Sequence, residues 1–358
     1  MQVTAIDHVE FHVGDAEQTA DSFCTAFGFR RTGRGEPGSG PAPGRSLLLE
    51  QGSIRVLLTC GLAADHPAAE YVLKHGDGVA CIALSVEDAA QAFEEAVRRG
   101  ARPVAEPEVC RGEDGEVVVA TVAGPGDVTH RLVERRSAGG GFLPGAIHPV
   151  APQPRAGTDP VQDLDHIALC VPAEQLEPTV RLYRQVFGFH EIFQERIEIG
   201  DQAMDSTVVQ SPSRGVTLTI IAPDPAARPG QIDEFLGAHA GPGVQHLALG
   251  TGDIVSAVRT LADRGVRFLS TTSGYYDAVE PRLGAVGVPV ATLRAGNILV
   301  DRDERGELFQ IFAESTFARR TFFFELIERR GALTFGSNNI KALYEAKERE
   351  RLAEQVRS

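Results

Sequence analysis

Two kinds of hydrophobic pattern follow one another along the chain in a fixed order. Segments such as IDHVEFHV (6–13) alternate apolar and polar positions, which predicts half-buried strands. Segments such as VEDAAQAFEEAVRRG (86–100) carry apolar residues at helical spacing with charges on the other face, which predicts amphipathic helices. The order strand, helix, strands, helix, strands occurs twice, so the pattern predicts an α+β protein made of two similar halves.

The two halves also share sequence, which indicates an internal repeat. The matching segments, first half before second half, are IDHVEFHV (6–13) and LDHIALCV (164–171), AFGFRRTG (26–33) and VFGFHEIF (186–193), GDGVACIAL (76–84) and GPGVQHLAL (241–249), AVRRGARPV (96–104) and LADRGVRFL (261–269), VTHRLVERR (128–136) and TFFFELIERR (321–330). We therefore expect two tandem domains of paired βαβββ modules, each forming an open, curved sheet barrel that strand-borne ligands line. The predicted boundaries are 1–136, a Gly/Pro-rich linker at 137–160, and 161–358.

The composition narrows the classes of function. With 35 Lys and Arg against 49 Asp and Glu, the chain has a net charge of −14, which argues against binding to nucleic acid or to an anionic membrane. No apolar run is long enough to span a bilayer, and the first residues (1–13) alternate like a strand and lack the regions of a signal peptide. We expect a cytoplasmic protein whose five scattered cysteines are reduced thiols.

Three residues of the second half are able to ligate a metal ion from predicted strands: His166, His246 and Glu325. Two imidazoles and one carboxylate form the facial triad of non-heme Fe(II) oxygenases, which leaves open positions on the metal. A lone histidine in a strand is more often a hydrogen-bonded core residue, so the histidines alone say little. Glu325 says more, because it lies in the apolar run TFFFELI (321–327), where a buried carboxylate is costly unless it is paired or binds a metal.

The equivalent positions of the first half hold His8, Cys81 and Arg131. A guanidinium has no lone pair to offer a metal, and its fixed positive charge repels one. If the second half binds a metal, the first half is therefore expected to be a structural relic. Nucleophile chemistry has no support, since the sequence contains neither a GxSxG segment nor a P-loop, and Cys81 is interpreted as a small core residue.

Longer motifs give the second half a family likeness. DHIALC (165–170), GVQHLAL (243–249), LFQIF (308–312), FFFELIERRG (322–331) and FGSNNIKALYEA (335–346) occur in this order. With them the chain resembles the vicinal-oxygen-chelate superfamily throughout. More closely it resembles the 4-hydroxyphenylpyruvate dioxygenase family, whose members have two such domains and a C-terminal helix that acts as a gate.

The resemblance implies a set of ligands and cavity residues. Fe(II) would be held by His166, His246 and Glu325, and the substrates would be 4-hydroxyphenylpyruvate and O2, with release of CO2. No catalytic residue beyond the iron ligands is implied. A gating helix at about 335–350 is implied, with a hinge at Gly336. The residues implied to bind or orient the substrate are Ser206, Thr219, Ile221, Gln231, Gln245, Gln310, Phe312, Phe323, Asn339, Ile340 and Leu343. A homodimer or homotetramer is the assembly that the resemblance suggests.

Three departures from the family pattern bear on the product. Ring-hydroxylating members, which form homogentisate, carry a Phe directly after the Asn of the C-terminal motif, whereas this chain has Ile340 after Asn339. They also carry a P-x-N segment on a cavity strand, where VTLTIIAP (216–223) supplies Thr219 and Ile221. These departures favour hydroxylation of the benzylic carbon to 4-hydroxymandelate. Homogentisate formation is the nearest alternative, and an extradiol catechol dioxygenase or a non-enzymatic drug-binding protein of the same superfamily are more distant ones.

Overall fold

The computed structural model of the chain describes residues 1–35, 43–137, 139–151 and 159–342. Within these residues each half forms one mixed sheet, of nine strands in the first half and eight in the second. No helix of the described ranges is both long and apolar enough to cross a membrane.

The first sheet has the strand order β6-β7-β8-β5-β1-β4-β3-β2-β9. Its strands are β1 (Val3–His12), β2 (Arg30–Gly35), β3 (Gly44–Gln51), β4 (Ile54–Gly61), β5 (Gly78–Val86), β6 (Pro103–Gly112), β7 (Gly115–Ala123), β8 (Thr129–Arg135) and β9 (His148–Pro149). The central strand β1 is parallel to β4 and antiparallel to β5, and β5 is parallel to β8.

The second sheet repeats this topology with the order β11-β12-β13-β10-β14-β17-β16-β15. Its strands are β10 (Asp163–Cys170), β11 (His190–Ile199), β12 (Gln202–Gln210), β13 (Thr217–Pro223), β14 (Gly243–Gly250), β15 (Leu299–Asp303), β16 (Gly306–Phe312) and β17 (Phe323–Arg330). Strand β10 takes the place of β1, with β13 parallel and β14 antiparallel to it, and β14 is parallel to β17.

Helices pack against both sheets. They are α1 (Ala16–Ser22), α2 (Pro67–His75), α3 (Ala89–Arg98), α4 (Leu176–Gln185), α5 (Gln231–His239), α6 (Ile254–Asp263), α7 (Ser273–Asp277), α8 (Val279–Leu283), α9 (Val290–Ala295) and α10 (337–342), with a π-helical turn at Phe23–Phe27 and a 3-10 turn at Ala173–Gln175. In α3 the residues that face the sheet are small or aromatic, and Asp88 caps the first turn by accepting from the Gln91 N–H.

One large core joins the two halves. Alternate residues of β1 and β10 face this core together with the helices. Aromatic rings cross the boundary between the halves, with centroids 5.0 Å apart for Phe11 and Phe322 and 4.5 Å apart for Phe27 and Phe324. The remaining residues of each central strand face the opposite, concave side of their own sheet. Each sheet therefore encloses an interior of its own.

The predicted linker contributes to the interior of the first half. Leu143 and Ile147 are buried in an apolar cluster on the concave face of the first sheet, and Phe142 packs against it. Strand β9 pairs with β2. We call residues 139–149 the plug, because they fill this concave face. Gly33 leaves room for the plug, because a Cβ there would lie 2.7 Å from Cγ2 of Ile147. In the second half the segment after β17 takes the corresponding place, with Phe335 and helix α10 over the concave face.

Candidate metal centre and substrate cavity

Neighbouring strands bring the three predicted ligands together. His166 in β10 pairs with Ala248 in β14, and Ala248 pairs with Glu325 in β17, so these residues form one row across the sheet. His246 lies two residues before Ala248 and therefore on the same face. Because the side chain of Ala248 is small, it leaves room for the donor atoms of His166, His246 and Glu325 to approach one another. These residues are far apart in the sequence, and the register of the paired strands brings them together.

The three side chains converge on one point. The Nε2 atoms of His166 and His246 are 3.4 Å apart. Oε2 of Glu325 lies 3.7 Å from Nε2 of His166 and 3.3 Å from Nε2 of His246. All three residues are buried. Two donor atoms bound at right angles with bonds of roughly 2.1 Å are about 3 Å apart, so the donor set and its spacing fit a divalent transition metal with open positions.

A charged pair orients the first imidazole. Nδ1 of His166 is 2.8 Å from Oδ1 of Asp165, so its N–H donates to the carboxylate and Nε2 keeps its lone pair for a metal. Arg329 donates to both oxygens of Asp165, at 2.7 and 3.0 Å. Although burial opposes ionisation, the hydrogen bonds from His166 and Arg329 hold the pKa of Asp165 well below its usual range. The other imidazole, His246, has its Nδ1 3.2 Å from the Oε1 of Gln245.

Among the described residues, Gln310 donates the hydrogen bond that holds the carboxylate ligand. Nε2 of Gln310 donates to Oε1 of Glu325 at 2.7 Å, which leaves Oε2 turned toward the two imidazoles. Burial raises the pKa of Glu325, while His166 and the hydrogen bond from Gln310 act in the opposite direction. A divalent cation between Oε2 and the two imidazoles would supply the positive charge that stabilises a buried carboxylate.

The cavity around the ligands contains seven of the eleven residues predicted to bind or orient the substrate. Those that line it are Ser206, Thr219, Ile221, Gln245, Gln310, Phe312 and Ile340. The free space between them is about 30 Å³, far below the roughly 300 Å³ or more of a typical ligand site. The structure is therefore a closed form, and part of the wall has to move before an arylpyruvate enters.

The other predicted cavity residues lie around this space or away from it. Phe323 is the neighbour of His246 on the next strand and stacks on its ring, with centroids 5.0 Å apart. Asn339 is fully buried behind Ile340 and donates to Gln310 at 2.8 Å. Gln231 begins α5 and borders a separate, shallow depression. Leu343 and the later part of the predicted gating helix lie outside the described residues.

Three lining residues were missed by the sequence analysis: Ile197, Met204 and Phe335. Met204 is two positions before Ser206 on β12, so strand alternation would have found it, and Ile197 is its cross-strand partner. Phe335 lies in a segment without periodicity. Its ring meets that of His166 edge-on with centroids 5.5 Å apart, and Arg329 lies over its other side.

Comparison with known proteins places the chain in a family. Residues 7–119 and 163–280 each match a family described as the Glyoxalase/Bleomycin resistance protein/Dioxygenase superfamily. The 4-hydroxyphenylpyruvate dioxygenase of Dictyostelium discoideum is 35% identical over 96% of this chain and 97% of its own length. That of Yarrowia lipolytica is 34% identical over 96% of this chain and 91% of its own length.

A solved structure agrees with these relatives. A triple mutant of 4-hydroxymandelate synthase from Streptomyces coelicolor is 40% identical, covers 98% of this chain and 100% of its own, and superimposes with a TM-score of 0.89. The predicted fold class, two tandem vicinal-oxygen-chelate domains, is confirmed, as is the prediction of a dioxygenase enzyme. The chain belongs to the 4-hydroxyphenylpyruvate dioxygenase family.

Proposed function

We propose that the protein is an Fe(II)-dependent enzyme that converts 4-hydroxyphenylpyruvate and O2 to 4-hydroxymandelate and CO2. One oxygen atom of O2 enters the new carboxylate and the other enters the benzylic carbon, so the reaction balances without a further reductant. The observation that carries the proposal is the convergence of His166, His246 and Glu325 on a cavity that has Ile340 in its wall. Bound Fe(II) would supply the electrons and coordination positions that decarboxylation by O2 requires.

The chain's own residues prepare this chemistry. Nε2 of each imidazole and Oε2 of Glu325 hold the metal, and Asp165 and Gln310 fix the orientation of the ligands. The surrounding wall is largely apolar, with Phe312, Phe323, Ile221 and Ile340 in one cluster. Such a wall excludes water and orients the substrate by shape, which is the protein's main contribution when the oxidant itself reacts with either carbon.

Thr219 offers a polar contact for the substrate. Its Oγ1 is buried and has no hydrogen-bond partner among the described residues, although the side chain lines the cavity. A buried hydroxyl without a partner is costly, and a polar group of the bound substrate would satisfy it. Thr219 is one of the positions at which the sequence is expected to differ from that of ring-hydroxylating relatives.

The shape of the cavity wall favours hydroxylation of the benzylic carbon. Ile340 and Ile221 present branched aliphatic groups where ring-hydroxylating members are expected to carry a flat phenyl and an amide. Loss of the phenyl face frees space beside the substrate ring, and loss of the amide removes a polar contact that would hold the ring. Both changes let the ring shift so that its CH2 group faces the metal.

Product analysis tests the proposal. The protein is loaded with Fe(II) without oxygen, then given 4-hydroxyphenylpyruvate and O2, and the products are separated by chromatography. We expect 4-hydroxymandelate from the wild type and no turnover from Glu325→Ala, which keeps only two imidazoles. Homogentisate as the main product would overturn the proposed product, and absence of Fe(II) or Co(II) binding would overturn the whole proposal.

A further inference from the structure

A line of hydrogen bonds connects a tyrosine outside the cavity to the carboxylate ligand. The Tyr275 hydroxyl is 2.7 Å from Oδ1 of Asn339, Nδ2 of Asn339 is 2.8 Å from Oε1 of Gln310, and Nε2 of Gln310 is 2.7 Å from Oε1 of Glu325. Asn339, Gln310 and Glu325 are all at most 2% exposed. We call these four residues the polar line.

The direction of every donor in the polar line follows from its last member. An ionised carboxylate only accepts, so Gln310 has to present its NH2 group to Glu325 and its oxygen to Asn339. For the same reason Asn339 turns its NH2 group to Gln310 and its oxygen to Tyr275. The Tyr275 hydroxyl donates to this oxygen at 2.7 Å, and the carbonyl of Val300, 2.9 Å away, is a second acceptor for the same proton. If one amide turned over, two oxygens would face each other inside the protein.

The other end of the polar line is anchored to the sheet. The backbone N–H of Val300 in β15 donates to the Tyr275 hydroxyl at 2.8 Å. Arg282 donates to the carbonyl of Val300 at 2.9 Å and lies over the Tyr275 ring, 5.3 Å from its centroid. Tyr275 itself is in α7 and does not line the metal cavity. It acts only through its neighbours.

One member of the polar line lies on the helix that the family resemblance predicts to be a gate. Asn339 belongs to α10, while the other three lie on α7 and two strands of the sheet. The line is complete only when α10 is docked. When α10 moves away, Gln310 loses its hydrogen bond from Asn339, and the Tyr275 hydroxyl is left with the carbonyl of Val300 as its acceptor.

We propose that Tyr275 is a positioning residue that couples docking of α10 to the orientation of the Glu325 carboxylate. Its hydroxyl stabilises the amide of Asn339 in the orientation that Gln310 and Glu325 require, and this hydrogen bond helps to keep Oε2 of Glu325 facing the metal position. The protein therefore binds metal more tightly when α10 is docked than when it is not, and bound metal in turn stabilises the docked position of α10. The inference rests on the proposed role of Glu325 as a metal ligand.

The test is an anaerobic titration with Co(II) in place of Fe(II), followed by its visible absorption. Tyr275→Phe keeps the ring and its contact with Arg282 and removes only the hydroxyl. Loss of a direct partner of a metal ligand weakens metal binding by roughly tenfold or more. Because Tyr275 acts through two amides, we expect a weaker but measurable loss of Co(II) affinity, of roughly two- to tenfold. Hydrogen exchange of residues 337–342 should also become faster. Tyr276→Phe removes a hydroxyl from the same helix outside the polar line and should change neither measurement.

A double variant separates the proposed path from a general loosening. In Asn339→Ala the polar line is already broken, so adding Tyr275→Phe should weaken Co(II) binding no further. Wild-type Co(II) affinity and helix exchange in Tyr275→Phe would overturn the inference, as would an undiminished effect in the Asn339→Ala background. A wild-type protein that binds no Co(II) would instead contradict the proposed function.

Discussion

At the scale of single residues, the first half places an arginine at the position that corresponds to Glu325 of the second half. Arg131 pairs with Ala83 in the register in which Glu325 pairs with Ala248. Its guanidinium is 2.8 Å from Oε2 of Glu10 and 3.3 Å from Nε2 of His8. A fixed positive charge thus stands where the second half would place a cation, and the carboxylate that balances it comes from β1, two strands away. The sequence analysis expected no metal at this position because of the charge of Arg131, and the structure places that charge beside His8 and Glu10.

This ion pair predicts a strong stability effect. Although burial opposes ionisation, Arg131 lowers the pKa of Glu10 to about 2, so the carboxylate is charged at neutral pH. Arg131→Met leaves that charge buried and unpaired, for which we expect a loss of about 3–5 kcal/mol in urea unfolding. The double variant Glu10→Leu/Arg131→Met removes both charges and should recover most of the loss. Equal stabilities for the single variant and the wild type would contradict this account.

Ile340 carries the residue-scale prediction about the product. Ile340→Phe restores a flat wall beside the substrate ring, so we expect part of the flux to move from 4-hydroxymandelate to ring-hydroxylated products. The measurement is the ratio of the two product classes by chromatography. Ile340→Val keeps a branched aliphatic side chain and serves as the control that should retain the wild-type ratio. An unchanged ratio in Ile340→Phe would show that this residue does not direct the reaction.

At the scale of elements, alternation predicted the strands that carry His166, His246 and Glu325, because these strands have one face on the shared core. Two other elements were beyond the sequence analysis. Residues 139–149 have the Gly/Pro-rich composition of a linker, yet they plug the first interior. The polar line through Tyr275 joins segments without shared periodicity. In both cases a non-periodic segment takes its place from the shape of a cavity that other elements form.

The plug predicts the effect of a small substitution. A Cβ at Gly33 would lie 2.7 Å from Cγ2 of Ile147 and 3.2 Å from Cβ of Leu48. Gly33→Ala should therefore displace the plug and lower the free energy of unfolding by about 1–3 kcal/mol, the usual cost of overpacking. Gly237 in α5 has no atom within 4 Å of the added Cβ, so Gly237→Ala is the matched control and should be neutral or stabilising. A Gly33→Ala protein with the same free energy of unfolding as the wild type would mean that the plug is loosely packed.

At the scale of the whole molecule, buried histidines lie where the halves meet. Nε2 of His130 in the first half is 3.0 Å from the hydroxyl of Tyr183 in the second. The ring of His239 stacks on that of His75 from the first half, with centroids 4.4 Å apart. Burial lowers the pKa of His130 to about 4, and burial together with the nearby His75 lowers the pKa of His239 to about 4.

These shifts predict that the junction weakens in acid. In the unfolded chain a histidine has a pKa near 6.5, so between about pH 6.5 and 4 the unfolded state binds more protons than the folded one. Stability is then fully present above pH 6.5 and falls as the pH drops, by up to about 1.4 kcal/mol per pH unit for each histidine. Urea unfolding at pH 7 and pH 5 measures this fall. His130→Gln should reduce it, whereas His190→Gln, at an exposed histidine, should not. An equal fall in all three proteins would contradict the assignment to His130.

The central claim concerns which carbon of the substrate is oxidised, and one labelled substrate tests it. The Fe(II)-loaded protein is given O2 and 4-hydroxyphenylpyruvate that carries deuterium at every ring position, and the product is analysed by mass spectrometry. Benzylic hydroxylation leaves the ring untouched, so we expect 4-hydroxymandelate that retains all of its ring deuterium. A product that has lost one ring deuterium would show attack on the ring, and would contradict the proposed reaction.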